Sequence, residues 1–371
     1  MAFYDDVPRQ LDLDDLVEAA EPNPLLRRVD ALVDARAWDD LVELARRCRE
    51  AYERGKQLWP IAEHIDYRLA LEAPPAYAAS VLTPAAGRFA FGPLTEVAAS
   101  THTFDELEPH LPSPQVAGVV AAERVLRGEV LTGRPEAHAE VLELPMRLEA
   151  WEPPYMLATY KAHEIQAPSP EVAQLTAEGR AADADAAPID DDELHRALLD
   201  LATTWVTGSG GRAEAAVVED GVAGAIGALG ARSFLIGEID PREALALMAW
   251  AAASGGAHGR RRGAAAGRSA AWWAAAELTG LDWPPDPDEL AREMGRLRWY
   301  RWEPHEMAVP LPGALRGASG PLPGALRGAS GPLPGALRGA SGGWNLHLAV
   351  EDPDDGWSAA IAAEDHSEES S

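Results

Sequence analysis

Apolar residues recur every three or four positions along most of the first 280 residues, which is the period of one face of an α-helix. Polar residues fill the positions between them. Such stripes include Leu58, Ile61, Ile65 and Leu69, then Val116, Val119, Val120 and Leu126, and the wider apolar faces around Leu245, Met248 and Trp272–Trp273. The pattern predicts helices that each bury one side.

Proline and glycine mark the ends of these predicted helices. Proline tolerates the first helical position because its missing N–H would have no partner there. A capping residue precedes it at Asn23–Pro24, Ser113–Pro114, Ser169–Pro170, Asp240–Pro241 and Asp286–Pro287. Glycine adopts the left-handed conformation at low cost, and it marks helix ends at Gly55, Gly128, Gly255 and Gly280.

Short connections, several of them rich in proline, favour antiparallel helix pairs. The sequence therefore predicts a mainly α protein of stacked antiparallel helix pairs, arranged as an irregular α-solenoid or a bundle, with a small C-terminal antiparallel β-sheet. A regular solenoid is not indicated, because the sequence has no internal period of about 30–50 residues. We expect an N-terminal helical region over 1–177, an acidic, alanine-rich linker over 178–193 and a second helical region over 194–295.

The period changes near the C-terminus. Trp344, Leu346, Leu348 and Val350 alternate with other residues, and the same alternation resumes at Trp357 after a turn rich in aspartate. Alternation around a turn is typical of a β-hairpin. With a third strand near Arg296–Trp302, it predicts the small sheet from residues 296–309 and 343–364. An acidic tail follows over 365–371.

Residues 310–342 repeat one 11-residue unit, PLPGALRGASG, three times without change. Five residues of each unit are proline or glycine and two are leucine, so burial cannot offset the entropy of ordering them. We predict a disordered loop, which the neighbouring strands tolerate because loop-closure entropy grows slowly with length. The alternative is a polyproline ligand for a partner, which Pro-Leu-Pro near an arginine suits.

The formal net charge is −28 at pH 7. A negative field of this size argues against a general nucleic-acid binder and against adhesion to anionic lipid. Salt screens charges beyond about 8 Å at physiological ionic strength, but only beyond about 30 Å near 0.01 M. We therefore expect the folded chain to be less stable at low ionic strength.

The chain has one cysteine, Cys48, which excludes an internal disulfide and a cysteine-rich zinc site. Cys48 shares a helical stripe with Leu41 and Leu44, so we predict a buried structural thiol and not a nucleophile. The N-terminal residues are acidic and lack an apolar core, so no signal peptide is expected. The longest apolar run, 244–253, is too short to span a bilayer. We expect a cytoplasmic protein without membrane association.

The segment Ser254–Gly263 is rich in glycine and arginine. Glycine lets a backbone approach a ligand closely, and guanidinium groups bind phosphate through paired hydrogen bonds. A second glycine-rich turn, 208–212, also precedes an expected helix. If both turns lie on one edge, they frame an anion site with the candidate residues Gly210, Arg212, His258, Arg260, Arg261, Arg262 and Arg268. The alternative is a solvated loop whose arginines pair with the acidic surface.

Glu63, His64 and Asp66 form a second candidate cluster, on the helix that carries Leu58. Glu63 and Asp66 share a helix face, and with a distant histidine such as His102 they suit acid–base chemistry or metal binding. The alternative is a polar helix face. No two histidines lie within five residues of each other, so no local pair of metal ligands exists. Neither glycine-rich turn has the ending of a Walker loop, and we predict no metal site and no cofactor.

Two further motifs resemble functional patterns, but both have simpler explanations. Arg298–Trp302 interleaves cations with aromatic residues, which suits base or sugar stacking, but a strand rich in cation–π contacts is the favoured interpretation. Gly339–Gly343 matches Gly-x-Ser-x-Gly, yet no strand precedes it, so we treat the match as chance.

Two stretches, Leu58–Arg68 and Ser254–Arg262 leading to Trp272–Trp273, together with Gly343–Trp344 onward, resemble an uncharacterised bacterial family, a domain of unknown function. The resemblance covers most of the chain outside the repeat, which departs from the family pattern. Its motifs carry no assigned chemistry, so the resemblance implies no activity and no catalytic residues.

The leading functional interpretation is a non-enzymatic helical interaction or scaffold protein. Its polar groove would be lined by helix ends, with Arg260–Arg262 contacting a protein partner. The alternative is an enzyme or binder that acts on a small anionic ligand, a phosphate or carboxylate, near Glu63, His64 and the arginine loop. The enzyme interpretation requires His64 or His258 beside a carboxylate in one pocket.

Overall fold

The computed structural model describes residues 13–83, 92–180, 186–306 and 344–365. The chain divides into two compact units, Met1–Val116 (unit 1) and Ala117–Ser371 (unit 2). The repeat over 310–342, predicted to be disordered, lies outside the described residues. So do the Gly339–Gly343 motif and residues 366–371 of the predicted tail.

The described part of unit 1 is built from helices whose buried faces follow the apolar stripes. They are α1 (Leu13–Ala19), α2 (Pro22–Asp34), α3 (Trp38–Glu50), α4 (Trp59–Glu72), α5 (Pro75–Ser80), α6 (Leu94–Thr101) and α7 (Phe104–Leu107). The predicted stripe from Leu58 to Leu69 is confirmed, since all four of its residues are buried. The buried thiol is confirmed as well: Cys48 lies in α3 beside Leu44, and burial raises its pKa to about 11.

Helix α8 (Pro114–Leu126) begins at the boundary between the units, and unit 2 combines helices with strands. Its elements are β1 (Thr159–Lys161), β2 (Glu164–Gln166), β3 (Ala177–Arg180), α9 (Asp192–Asp200), α10 (Thr203–Gly208), β4 (Arg212–Val218), α11 (Val222–Ala228), β5 (Ser233–Ile239), α12 (Pro241–Ala253), α13 (Ala264–Thr279), α14 (Pro287–Met294), β6 (Arg298–Glu306), β7 (Trp344–Asp352) and β8 (Trp357–Asp365). Of the helices described in either unit, none is long and apolar enough to cross a bilayer.

Six strands of unit 2 form one sheet in the order β3-β5-β6-β7-β8-β4. Every neighbouring pair is antiparallel. The predicted hairpin of β7 and β8 is confirmed, and it pairs Trp344 with Asp365 and Asp352 with Trp357. This hairpin lies between β6 and β4, so it joins two parts of the sheet that come earlier in the chain. Strands β1 and β2 form a separate two-stranded pair.

Helices cover both faces of the six-stranded sheet. One face packs on α9, α10, α12, α13 and α14, in a core that includes Trp272 and Trp299. The other face packs on α11 through Ile226 and Trp302. The predicted structural role of Arg298–Trp302 fits this arrangement, because the segment forms the first five of the nine residues of β6 and its two tryptophans are buried on opposite faces.

The sheet is larger than the small C-terminal one predicted. Strands β4 and β5 lie within 194–295, where the sequence predicted only helices, and the helix expected after the turn at 208–212 is wrong, because Arg212 begins β4. Alanine favours helices, and three of the seven residues of β4 are alanine. Pairing with β8 along the whole strand overrides that local preference. The helices of unit 2 therefore pack on a sheet as well as on one another.

The acidic stretch over 178–193 also takes part in the fold. Ala177–Arg180 forms β3, which pairs with β5, and the side chain of Asp191 caps α9 by accepting the backbone N–H groups of Glu193 and Leu194. The division into compact units lies instead between Val116 and Ala117, within α8.

Most of the helix-start signals identify real helix ends. Ser113–Pro114, Asp240–Pro241 and Asp286–Pro287 each begin a helix, and each capping side chain accepts a backbone N–H of the first turn. Gly280 ends α13 with φ 66°, in the left-handed region. The start predicted at Ser169–Pro170 is wrong, since residues 167–176 form neither helix nor strand. That segment has too few apolar residues to give a helix a buried face.

Candidate functional site

The two glycine-rich turns of the predicted anion site lie next to each other in unit 2. The backbone N–H of His258 donates to Oγ of Ser209 over 2.7 Å. Gly210 supplies the left-handed conformation of the second turn, with φ 88°. The backbone N–H of Ala257 donates over 2.6 Å to Oδ2 of Asp365, which is buried. The sequence predicted that an external anion would bind beside these turns. The carboxylate of Asp365, from the chain itself, lies there instead.

Asp365, which the sequence assigned to the acidic tail, belongs to β8. It is 2% exposed, and it pairs with Trp344 across the hairpin. A Cβ at Gly256 would lie 2.2 Å from its Oδ2 atom, so the turn needs glycine at this position to approach the carboxylate. The loop over 254–263 is thereby closed by a side chain that lies more than one hundred residues further along the chain.

The N-terminus of α13, which follows the arginine loop, also holds an internal carboxylate. Oε1 of Glu123 accepts the backbone N–H of Ala265 over 2.8 Å. Its Oε2 accepts Nη1 of Arg127 over 2.8 Å. Glu123 is 1% exposed. A helix N-terminus favours negative charge, and here α8 provides that charge.

Two of the candidate arginines pair with carboxylates. The guanidinium of Arg212 binds Glu364 across β4 and β8, and Nε2 of His347 lies 3.3 Å from the other carboxylate oxygen. Hydrogen bonds from His347 and from Arg212 lower the pKa of Glu364 to about 2. Nη1 of Arg262 lies 2.9 Å from Oδ2 of Asp200. Both guanidinium groups are engaged by the protein.

Arg268, another candidate, lies in the core of unit 2. Its Nε donates to Oε2 of Glu152 and its Nη2 donates to Oε1, each over 2.7 Å. Both side chains are 1% exposed. Trp272 and Tyr155 also donate to Glu152, over 3.0 and 2.5 Å. Burial, and after it the charge of Glu152, raises the pKa of Tyr155 well above its ordinary value. This network ties the irregular segment around Glu152 to α13.

The remaining loop candidates differ in exposure. His258 and Arg260 are exposed, whereas Arg261 is buried. The structure thus brings the loop and the 208–212 turn together, and it directs Arg212, Arg262 and Arg268 to internal partners.

The cluster of Glu63, His64 and Asp66 lies on α4, in unit 1. Asp66 is buried and pairs with Arg49, but burial raises its pKa more than the arginine lowers it. The ring of His64 stacks on Tyr67 at a centroid distance of 6.2 Å. Nothing in the described ranges forms a group of three or more His, Cys, Asp or Glu side chains that could hold a metal ion.

Unit 2 has an open groove along α13, which we call the aromatic groove. Its volume is about 390 Å³, and its polar and aromatic lining residues are Glu143, Asp200, Arg262, Ser269, Trp273 and Trp283. Nε1 of Trp283 donates over 2.7 Å to Glu143, and Nε1 of Trp273 donates over 2.9 Å to Glu277. Hydrogen bonds therefore hold both indoles in place.

Glu143 has an unusual backbone at the wall of this groove. Its φ is 54°, in the left-handed region that a side chain with a Cβ seldom adopts. Residues in such conformations persist where surrounding contacts hold them, and they concentrate at binding sites. Here the bond from Trp283 is one such contact.

Before its last residue, helix α13 opens to the surface along one stripe. Ala266, Ser269, Trp273 and Glu277 are half-buried and lie three or four residues apart, on one side of the helix. Thr279, the last residue of the helix, is also half-buried but faces another side. All the remaining residues of α13 are buried. The first three residues of the stripe line the aromatic groove. A helix buried on its other sides thus presents a single narrow face.

A second groove lies at the C-terminal end of α13, and we call it the acidic groove. Its volume is about 310 Å³. Its lining includes the indole of Trp357, the guanidinium of Arg296, and five carboxylates, Asp191, Glu277, Glu293, Asp352 and Asp355. Because Trp273 lines the first groove and donates to Glu277 in the second, the two grooves adjoin each other on α13.

Comparison with known proteins places the chain in a family. A family model described as Family of unknown function (DUF6183) matches residues 23–307, which is more than half of the chain. The chain belongs to DUF6183. The predicted resemblance to an uncharacterised family is therefore confirmed. No curated protein and no solved structure matches this DUF6183 chain.

The candidate surface of this DUF6183 chain is only partly visible in its sequence. The glycine- and arginine-rich pattern points to Arg262, which lines the aromatic groove, but no sequence pattern points to Glu143, Asp200 or Trp283. These residues come from three separate segments, so no local pattern joins them. The adjacent pair Trp272–Trp273 does give a signal. Two neighbouring residues of a helix cannot face the same side, so one of the two indoles has to lie outside the core that buries the other.

Proposed function

We propose that this DUF6183 protein is a non-enzymatic interaction protein that binds an extended segment of a partner protein in the aromatic groove. The observation that carries this proposal is the half-buried stripe of α13, an otherwise buried helix, which opens onto a groove lined by Trp273 and Trp283.

The chemistry of the lining supports a polypeptide ligand. Tryptophan and arginine are the residues most enriched at the energetic centres of protein interfaces, and the groove contains Trp273, Trp283 and Arg262. Both indoles are held by hydrogen bonds, which lowers the entropy cost of binding. Arg262 comes from the loop that the sequence proposed as the partner contact.

A small anionic ligand receives less support from the geometry. Arg212, Arg262 and Arg268 each engage a carboxylate of the protein, and Asp365 lies at the glycine-rich turns. Neither groove has a described histidine in its lining. The histidine–carboxylate pair that the sequence-based enzyme interpretation requires is therefore not part of these grooves.

The test is selection of random octapeptides displayed on phage against the immobilised full chain. We compare the wild-type chain with Ser269→Trp, which places an indole in the groove from a half-buried position of α13. The matched control is Arg232→Trp, which adds the same side chain at an exposed position beyond α11. We expect the wild-type and control chains to enrich the same peptides, and Ser269→Trp to lose more than about tenfold in affinity.

Circular dichroism shows whether each variant is folded. Ala266→Gln, at a second half-buried position in the groove, replaces Ser269→Trp if that variant does not fold. The proposal is overturned if the wild-type chain enriches no peptide family, or if a folded groove variant binds the enriched peptides as tightly as the wild-type chain.

A further inference from the structure

The two grooves form neighbouring parts of one surface. Ala266, Ser269 and Trp273 line the aromatic groove, and Glu277 lines the acidic groove at the next position of the same helical stripe. The hydrogen bond from Trp273 to Glu277 joins the two linings. A ligand that follows α13 from one groove reaches the other.

The acidic groove has a strong local charge. Five carboxylates line it, and Arg296 provides one positive charge. Arg296 is already paired, with Glu293 and with Asp354. The aromatic groove adds Glu143, while Asp200 there is paired with Arg262. The surface as a whole is negative, and the indoles within it provide faces on which cationic side chains are favoured.

We infer that the partner segment is an extended, arginine- or lysine-bearing polypeptide that occupies both grooves, with its basic side chains in the acidic groove. This inference rests on the proposed function and names the class of its partner. Charge complementarity between a basic segment and the five carboxylates carries it. A small cationic ligand would fill one groove, whereas an extended chain fills both.

The length of the surface sets the size of the segment. Ala266 and Gly280 border the two ends, and a helix rises about 1.5 Å per residue, so the surface is about 21 Å long. An extended chain advances about 3.3 Å per residue. A segment of about six residues therefore spans both grooves.

The test uses three octapeptide libraries with arginine, serine or glutamate at alternate positions and random residues between them. The full chain is the immobilised protein. We expect it to retain the arginine library more than about fivefold better than the serine library, and to lose this preference as salt rises. It should not retain the glutamate library. Ser269→Trp should abolish the preference, because the basic segment must also occupy the aromatic groove.

A chain with net charge −28 attracts any basic peptide, so a matched charge variant is needed. Asp355→Lys reverses an exposed charge in the acidic groove. Glu238→Lys makes the same change in net charge at an exposed position on β5, outside both linings. We expect Asp355→Lys to weaken binding of an enriched arginine peptide more than about fivefold, and Glu238→Lys less than about twofold.

Equal losses of peptide affinity in Asp355→Lys and Glu238→Lys overturn the inference, because they would indicate that the peptide responds to the net charge of the chain and not to the acidic groove. No loss in either variant overturns it as well. If the serine or glutamate library is retained best and Ser269→Trp still abolishes binding, the proposed function stands and the basic partner is wrong. If no library is retained, both are wrong.

Discussion

Arg268 and Glu152 form a two-bonded ion pair in the interior of unit 2, although they lie 116 residues apart in the chain. Each side chain is 1% exposed. The remaining donors of Arg268 bond to the backbone carbonyl groups of Pro145 and Arg147, over 3.0 and 3.1 Å. Because every charged atom has a partner, the desolvation cost of the pair is offset locally.

Replacing Arg268 with methionine should strongly destabilise the protein. The substitution leaves the Glu152 carboxylate buried without a cation, and breaking a buried pair in this way costs about 3–5 kcal/mol. Urea unfolding measures the loss. Arg292→Met is the control: that arginine is exposed and paired on α14, and its loss should leave the urea midpoint nearly unchanged, because exposed ion pairs contribute little to stability.

Adding Glu152→Gln to Arg268→Met should recover part of that loss. The neutral amide no longer needs a cation, and its oxygen can still accept the bond from Trp272. A double variant that unfolds at the same urea concentration as Arg268→Met alone would contradict the assignment of the cost to an uncompensated charge.

Gly267→Ala should destabilise the contact between α12 and α13. A Cβ at Gly267 would lie 2.3 Å from the backbone oxygen of Ala249, so the two helices must separate. Overpacking of this kind costs about 1–3 kcal/mol and exceeds the gain of about 1 kcal/mol from helix propensity. Gly295→Ala, where the added Cβ meets nothing closer than 3.4 Å, should change stability by less than about 1 kcal/mol. Equal unfolding midpoints for the two variants would show that the helices do not approach as described.

The stabilising effect of Glu364 should disappear in acid. Its pKa in the folded chain is about 2, below the ordinary value of about 4.3. The charged form is therefore favoured by folding, and its contribution is complete above about pH 4.3 and is lost as the pH falls towards 2. We expect Glu364→Gln to have a lower Tm than the wild-type chain near pH 7, with the gap narrowing by about pH 3. Glu193→Gln is the control, because it removes one negative charge at an exposed position and should change the Tm little. A gap that stays constant with pH would contradict this assignment.

Low ionic strength should lower the Tm of the whole chain. The net charge is −28, and charges repel over about 30 Å near 0.01 M salt but over less than about 10 Å above 0.1 M. Thermal melts at these two salt concentrations provide the measurement. An unchanged Tm would show that ion pairs on the surface already balance the repulsion.

Helices with one apolar stripe were the part of the fold that could be predicted from the sequence. The stripe of α4 and the buried Cys48 in α3 depend on local spacing, and so does the alternation in β7 and β8. Strand β4 could not be predicted, because its alanines favour a helix and only β8, far along the chain, makes it a strand.

The candidate surface was hidden for a related reason. In the half-buried stripe of α13, the apolar residues Ala266 and Trp273 alternate with the polar residues Ser269 and Glu277. The sequence of this helix therefore shows no continuous polar side. The internal partners of the arginines also lie far away: Glu152 is 116 residues from Arg268, and Asp200 is 62 residues from Arg262. No local rule distinguishes a guanidinium that has such a partner from one that awaits a ligand.

The position of the C-terminal hairpin within the sheet determines when unit 2 can be completed during synthesis. Arg212 and its pairing partner Glu364 are 152 residues apart, so β4 has no β8 to pair with until the ribosome has translated almost to Asp365. Until then β4 pairs with no strand of the sheet and β6 has one unpaired edge, and such edges promote association between chains. The sheet of unit 2 is therefore completed only after the C-terminal hairpin has been synthesised, although most of its helices come earlier in the chain.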